Sequence, residues 1–282
     1  MSNAIEIKNL CKTYPGFALK NVSFNVPSGI CCGFVGPNGA GKTTTLKAML
    51  GMVHKNSGEI RLLGKPDGDV SAKEDIGVMF DQPYFQDDWT PLDIEKGIGP
   101  FYRGWDSDQY RKYLTQFELD PKKEFSAFSR GMKMKLSFAV HLSHGAKLLM
   151  LDEPTSGLDP VARDEVLDIM REHLIKDDRT ILFSTHITSD LERIADMIVY
   201  ISKGAVSFSG DKDALLSQYC VVRGGKLPEE KRKHAIGLRE YEYGYECLME
   251  VANIGGLPSN SVTEQATIDD VVIYIERRSK YA

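Results

Sequence analysis

Apolar and polar residues alternate through IEIKNLCKTYPGFALKNVSFNV on both sides of Pro15–Gly16. That is the pattern of short antiparallel strands turning at a proline–glycine pair. The period then changes. ICCGFVG (30–36) is an unbroken apolar run entering a glycine-rich turn, and KTTTLKAMLGM carries apolar residues at helical spacing, so the segment predicts strand, loop, helix. GEIRLLG (58–64) and IGVMFD (76–81) predict two more strands. LLMLDEP (148–154) and TILFSTH (180–186) are continuous apolar strands that end in polar residues, with a helix from about Val161 to Lys176 between them. Apolar strands alternating with helices predict a mostly parallel sheet covered on both faces.

Two segments depart from this pattern. From residue 84 the chain is first aromatic and acidic (PYFQDDWTPLDIEKGIGPFYRGW), then helical in period (YRKYLTQFEL), which predicts a helical subdomain at about 84–145 inserted into the sheet. From Cys220 onward, short strand-like pieces (YCVVRG, AIGLRE, YEYGYECLMEV) precede a helix at TIDDVVIYIERRSK. The expected organisation is therefore a main α/β domain over 1–219 and a small α+β accessory domain over 220–282.

Composition narrows the function classes. A net charge of −5 offers no basic excess for phosphate backbones, so a nucleic acid partner is not expected. No run reaches the roughly 18 apolar residues that span a bilayer, and MSNAIEIKNL has no secretory apolar segment, so a cytoplasmic chain is expected. None of the five cysteines forms a C-x-x-C pair, and Cys31 and Cys32 are strand neighbours that point to opposite faces. They read as small buried hydrophobes.

The chemistry begins with GPNGAGKTT (36–44), which fits G-x-x-x-x-G-K-[ST] between a strand and a helix. Glycines in such a loop let backbone N–H groups turn toward phosphate oxygens, and the helix N-terminus adds positive potential. Gly36, Pro37, Asn38, Gly39, Ala40, Gly41, Lys42, Thr43 and Thr44 thus form a candidate triphosphate cradle. Lys42 would reach the β- and γ-phosphates, and the Thr43 hydroxyl would bind Mg²⁺. Asp152 and Glu153 emerge at the end of the LLMLDEP strand, where ligands bind in open α/β sheets. Asp152 suits Mg²⁺, and Glu153 suits a general base toward water. His186 ends the next strand, and Ser189 or Asp190 could cap the helix after it.

The set GPNGAGKTT, Gln82 in DQPYF, FSRGM (128–132), LLMLDEP, SGLD (156–159) and His186, in this order, resembles the nucleotide-binding subunit of an ATP-binding cassette transporter over about residues 4–215. The resemblance implies a P-loop NTPase cassette with an antiparallel β subdomain, ATP as nucleotide and Mg²⁺ as its ion. It implies that Tyr14 stacks on adenine, that Gln82 reaches Mg²⁺ or the lytic water, that Asp159 crosses between two sites, and that His186 touches the γ-phosphate. FSRGM stands where the family has LSGGQ. There the Ser129 hydroxyl and the Gly131 N–H would cap a γ-phosphate bound to an opposite subunit, and Arg130 and Met132 depart from the pattern.

The same resemblance implies a dimer, of identical chains or of this chain with a related one, and integral membrane permease subunits. The cassette would then be peripheral on the inner face of the cell membrane. The 46 residues between Gln82 and Ser129 make a compact insertion similar to those of bacterial exporter subunits. A soluble cassette acting on ribosomes or DNA is the alternative, but neither a second cassette with a charged linker nor a coiled-coil or zinc insertion is present. The rings at 83–105, with Tyr84 and Phe85 foremost, are expected to offer an exposed groove to a permease helix. The accessory domain is expected to serve dimer contact or regulation, or simply to pack on the main domain.

Overall fold

The computed structural model describes residues 2–81, 85–176 and 178–281. In chain order the N-terminal elements are β1 (Asn3–Tyr14), β2 (Phe17–Pro27), β3 (Cys31–Val35), α1 (Lys42–Met49), β4 (Ser57–Leu62), β5 (Lys65–Pro66), α2 (Val70–Lys73) and β6 (Ile76–Met79). The insertion supplies α3 (Pro91–Ile98), α4 (Ser107–Gln116) and α5 (Arg130–Ser143). The chain then returns through β7 (Leu148–Asp152), α6 (Pro160–Leu174), β8 (Thr180–Thr185), α7 (Thr188–Ile194), β9 (Met197–Ser202) and β10 (Ala205–Asp211). The C-terminal part comprises α8 (Lys212–Gln218), β11 (Tyr219–Gly224), α9 (Glu229–Arg232), β12 (Ile236–Tyr241), β13 (Gly244–Glu250), β14 (Val262–Gln265) and α10 (Ile268–Tyr281).

The central sheet has the order β10-β9-β3-β8-β7-β6 and is parallel except for β10. Its inner strands β3, β7 and β8 are buried on both faces, which is why they read as continuous apolar runs. Cys31, Val35, Leu149, Leu151, Ile181 and Phe183 enter one core, and Cys32, Phe34, Leu148, Met150 and Leu182 enter the other. The neighbouring cysteines therefore separate as the two-residue period requires, and burial pushes the Cys31 thiol well up from its ordinary pKa. The second core lies under an antiparallel sheet ordered β2-β1-β4-β5, in which Tyr14 pairs with Phe17 across the Pro15–Gly16 turn.

In the insertion, Thr90 and Asp93 form a reciprocal cap at the start of α3. The Tyr110 hydroxyl, fully buried, donates to the Pro91 carbonyl at 3.1 Å. Of the rings expected to offer a groove, Phe85, Tyr102 and Trp105 are half-buried, packed on one side and bordering surface clefts on the other. Tyr84 lies outside the described residues. Phe85 meets Phe125 edge-on at 5.5 Å, Tyr102 stacks on His144 at 4.0 Å, and Trp105 leans on Tyr110 at 5.1 Å. Of the rings between Phe85 and Trp105 only Phe101 is open to solvent, at 81%. Tyr110 and Phe125 belong to the same core as Leu149, Leu151 and Phe183 of the central sheet, and Phe85, Trp89 and Trp105 pack against it. Phe85 and Tyr102, with Phe80, Ile98 and His141, line a cleft of about 170 Å³, and Trp105 lines another of about 480 Å³ with Leu92 and Pro100.

The third sheet, ordered β12-β13-β11-β14, is antiparallel. Alternate residues of β11 serve two cores. Val221 joins Ile268, Val271 and Tyr274 in the core that also holds Leu191, Ile194 and Ile198, whereas Cys220 and Val222 join a small local cluster with Cys247 and Met249. Among the described residues no helix is long and apolar enough to cross a membrane.

Candidate active site

The loop from β3 to α1 is shaped by glycines with different tasks. Gly39 and Gly41 have φ of +78° and +114°, the left-handed region that side chains strain to enter. A Cβ on Gly41 would also meet Leu19 and the Phe17 ring at 2.6 and 2.9 Å. The Lys42 ammonium is buried and folded back on its own loop, donating to the Gly36 carbonyl at 2.6 Å. α1 has no acid in its first turn, so nothing on the helix offsets its positive N-terminal end.

β7 and β8 bring the acids and the histidine to the same place. Asp152 is buried, accepts from the Thr43 hydroxyl at 2.8 Å through Oδ2, and accepts from the Ser184 hydroxyl through Oδ1. Glu153 takes a positive φ of 52°, with its N–H donating to the Ser184 carbonyl at 3.0 Å. This turn aims its carboxylate between two partners. Oε1 lies 3.5 Å from Lys42 Nζ, and Oε2 lies 2.7 Å from His186 Nδ1. The result is a cleft of about 620 Å³ walled by the loop on one side and by Asp152, Glu153, Ser156 and His186 on the other.

Most of the expected residues meet in this cleft: Pro37, Asn38, Gly39, Gly41, Lys42, Thr43, Thr44, Asp152, Glu153 and His186. Gly36 and Ala40 shape it from behind. A Cβ on Gly36 would come within 2.1 Å of the Ile201 carbonyl, and the Ala40 carbonyl accepts from the Gly204 N–H at 3.0 Å. Gln82 lies outside the described residues.

Three expected contributors stand elsewhere. Ser129 caps α5, accepting from the Met132 N–H at 3.3 Å, and Gly131, the second residue of the helix, is buried. Asp159 caps α6 by accepting from the N–H groups of Val161 and Ala162, both at 3.0 Å. None of the three lines the cleft.

Phe17 and Gly16 border the cleft, while Tyr14, just before the turn, lies under the Lys12 ammonium 4.9 Å from its centroid. The two-residue turn sets this, because it places the first ring of β2 against Gly41. One expectation is corrected. Asp190 is no helix cap: it is fully buried and accepts from the Thr155 hydroxyl at 2.5 Å and from Arg163 Nε at 2.6 Å.

Sequence reasoning also missed Asp81, Ser156 and Ser184. Asp81, at the cleft rim, forms an ion pair with Arg130, whose guanidinium covers Gly157. Ser184 was visible only as the polar break in an apolar strand.

The family model for the ABC transporter matches residues 19–156. An uncharacterized ABC transporter ATP-binding protein of Synechocystis sp. is 33% identical over 257 residues, covering 85% of this chain and 72% of that protein. The chain belongs to the ABC transporter ATP-binding proteins. A Nod factor export ATP-binding protein of Burkholderia orbicola is 34% identical over 223 residues, covering 75% of this chain and 72% of that relative. A solved structure of an ATP-binding subunit of an ABC transporter superposes with a TM-score of 0.69 at 28% identity, covering 76% of this chain and 92% of that one. As an ABC ATPase the chain binds ATP, and in the cleft a P-loop, an acidic strand end and a histidine converge.

Proposed function

We propose that this ABC ATPase drives export through separate membrane permease subunits, by closing as a dimer around two ATP molecules and opening after hydrolysis. It works in the cytoplasm, on the inner face of the cell membrane. The observation that carries this reading is the division of the site. Lys42, Asp152, Glu153 and His186 line one cleft, whereas Ser129, Gly131 and Asp159 of the same chain stand outside it at helix N-termini. A second copy, or a related chain, would supply the missing half in trans. The partial likeness to a Nod factor export protein supports the outward direction.

In this mechanism the P-loop N–H groups and the N-terminal end of α1 hold the triphosphate, and Lys42 exchanges the Gly36 carbonyl for β- and γ-phosphate oxygens. The Phe17 ring borders the cleft beside Gly16, the position open to the base. Thr43 and Asp152 present hard oxygen donors side by side, a set that fits Mg²⁺, with Gln82 the third expected ligand. When bound, that ion would neutralise charge on the phosphates. Glu153 accepts a proton from the attacking water as its oxygen bonds the γ-phosphorus and the bond to the ADP oxygen breaks. His186, 2.7 Å from Glu153, orients that carboxylate and the γ-phosphate together. Ser129 and Gly131 of the opposing chain close the site with donors aimed at the developing charge.

Glu153→Gln tests the scheme. It keeps the side-chain shape and removes the base, so ATP should accumulate a stable dimer by light scattering while phosphate release falls roughly 100-fold or more. A variant that stays monomeric with ATP, or that turns over at the native rate, overturns the assignment.

A further inference from the structure

The C-terminal domain is fastened to the ATP site at two points along one helix. At the start of α10, Asp269 Oδ1 accepts a hydrogen bond of 2.6 Å from the hydroxyl of Thr188, the first residue of α7 and the second after His186. Two turns further on, Glu276 Oε1 accepts from the Tyr200 hydroxyl at 2.5 Å and from the Ser202 hydroxyl at 2.6 Å. Tyr200 pairs with Val35 at the mouth of the P-loop, and the next residue, Ile201, is the one whose carbonyl backs Gly36. Along this stretch Ile268, just before the first point, and Val271 and Tyr274, between the two, are buried in the same core as Leu191 and Ile194 of α7.

His186 itself has few restraints. Its ring is about half exposed, and Glu153 is the partner it meets. Its direction must come from the flanking backbone, where the Thr185 hydroxyl accepts from the Ile187 N–H at 2.9 Å. Ile187 precedes α7 with no side-chain cap, so the first turn of α7 is held by side chains instead: Asp190 from below and Asp269 through Thr188. α10 is rigid where it makes this contact, because Thr267 and Asp270 cap it reciprocally.

We propose that Asp269 is a positioning residue for ATP hydrolysis: through Thr188 it holds the start of α7 so that His186 stays registered against Glu153, making the C-terminal domain part of the scaffold of the ATP site. The inference rests on the role given above to His186. It uses the full chain, because residues such as Val271 and Tyr274 complete a shared core that truncation would expose.

The test compares kcat and KM for ATP in Asp269→Ala, Asp269→Asn, Thr188→Val, Thr188→Ser and the Thr188→Val/Asp269→Ala double variant. Asp269→Ala and Thr188→Val should each lower kcat roughly three- to tenfold with KM changed less than about twofold. Asp269→Asn and Thr188→Ser, which keep an acceptor and a donor, should recover most of that loss. The double variant should be no slower than either single one, since one bond is lost in all three. Unchanged kcat in Asp269→Ala, additive losses in the double variant, or a parallel loss of melting temperature and ATP affinity would each overturn the inference. His186→Ala keeps the two layers apart. If it retains native turnover, the role of His186 fails, whereas if it is inactive while Asp269→Ala is native, only the positioning role fails.

Discussion

The phosphate half of the site and the signature half are built on opposite plans. Around the cleft, polar groups already satisfy one another: Lys42 on Gly36 and Glu153, Thr43 and Ser184 on Asp152, His186 on Glu153. At the N-terminus of α5, Ser129 is exposed and spends its oxygen on a single 3.3 Å bond to its own helix. Both α1 and α5 lack an acid in the first turn, whereas α3, α4 and α8 carry one. An unneutralised helix end is a standing invitation to an anion. The contrast fits the proposed mechanism: the chain preorganises one half of the site, and the other keeps an exposed helix end for the nucleotide that a second subunit would bring.

The sharpest way to break this contrast is Lys42→Ala. Loss of the one buried cation at the phosphates should cut turnover about a thousandfold and weaken ATP binding to the isolated chain, read by calorimetry. Ser129→Arg should act on the other half alone. Hydrolysis should fall about a hundredfold while ATP binding to the monomer is unchanged, and lost monomer binding would mean the two halves are not separate.

Acid offers a third separation. Burial depresses the pKa of His141, on α5, to about 3, and that of His144, just after it, to about 4. Both rings are held neutral in the fold, so the unfolded chain binds more protons below its ordinary histidine pKa of about 6.5. Stability is then complete above about pH 6.5 and falls as the pH drops toward 4. Thermal melts should show a loss of up to about 3 kcal/mol per histidine over that window, with His173, which burial also lowers to about 4, adding to it, and His141→Gln should flatten the slope. An unchanged slope would mean the signature helix is not anchored through these rings.

The smallest effect is expected from Arg130→Gly, which restores the family residue. Its ion pair with Asp81 is surface-exposed, so the change should cost at most about 1 kcal/mol and alter turnover no more than about fivefold, less at high salt. A larger loss would show that Arg130 couples the halves.

Much of this was legible in the sequence, and particular residues show where legibility ended. β3, β7 and β8 are buried on both faces, so their continuous apolar runs announced them together with the loop and acids at their ends. β14 could not be seen, because all four of its residues are exposed and no apolar alternation marks it. That Phe17 borders the cleft depends on hairpin register, which spacing alone does not fix. Asp190 looks like a helix cap in isolation, since its partners Thr155 and Arg163 lie far back in the chain. The brace from α10 to α7 was equally hidden: it joins residues 81 positions apart through one hydroxyl and one carboxylate.

The strand order carries a consequence for synthesis. β3 sits between β8 and β9, so the ribosome makes Cys31–Val35 long before either neighbour, at Thr180–Thr185 and Met197–Ser202, exists. Until then a fully apolar strand has both edges bare, the kind of surface that attracts aggregation and chaperones. The P-loop it feeds is likewise unbacked until Ile201 and Gly204 emerge. The backing of the nucleotide cradle therefore arrives late in translation, and a fragment ending before residue 200 should bind ATP more weakly than the full chain by calorimetry.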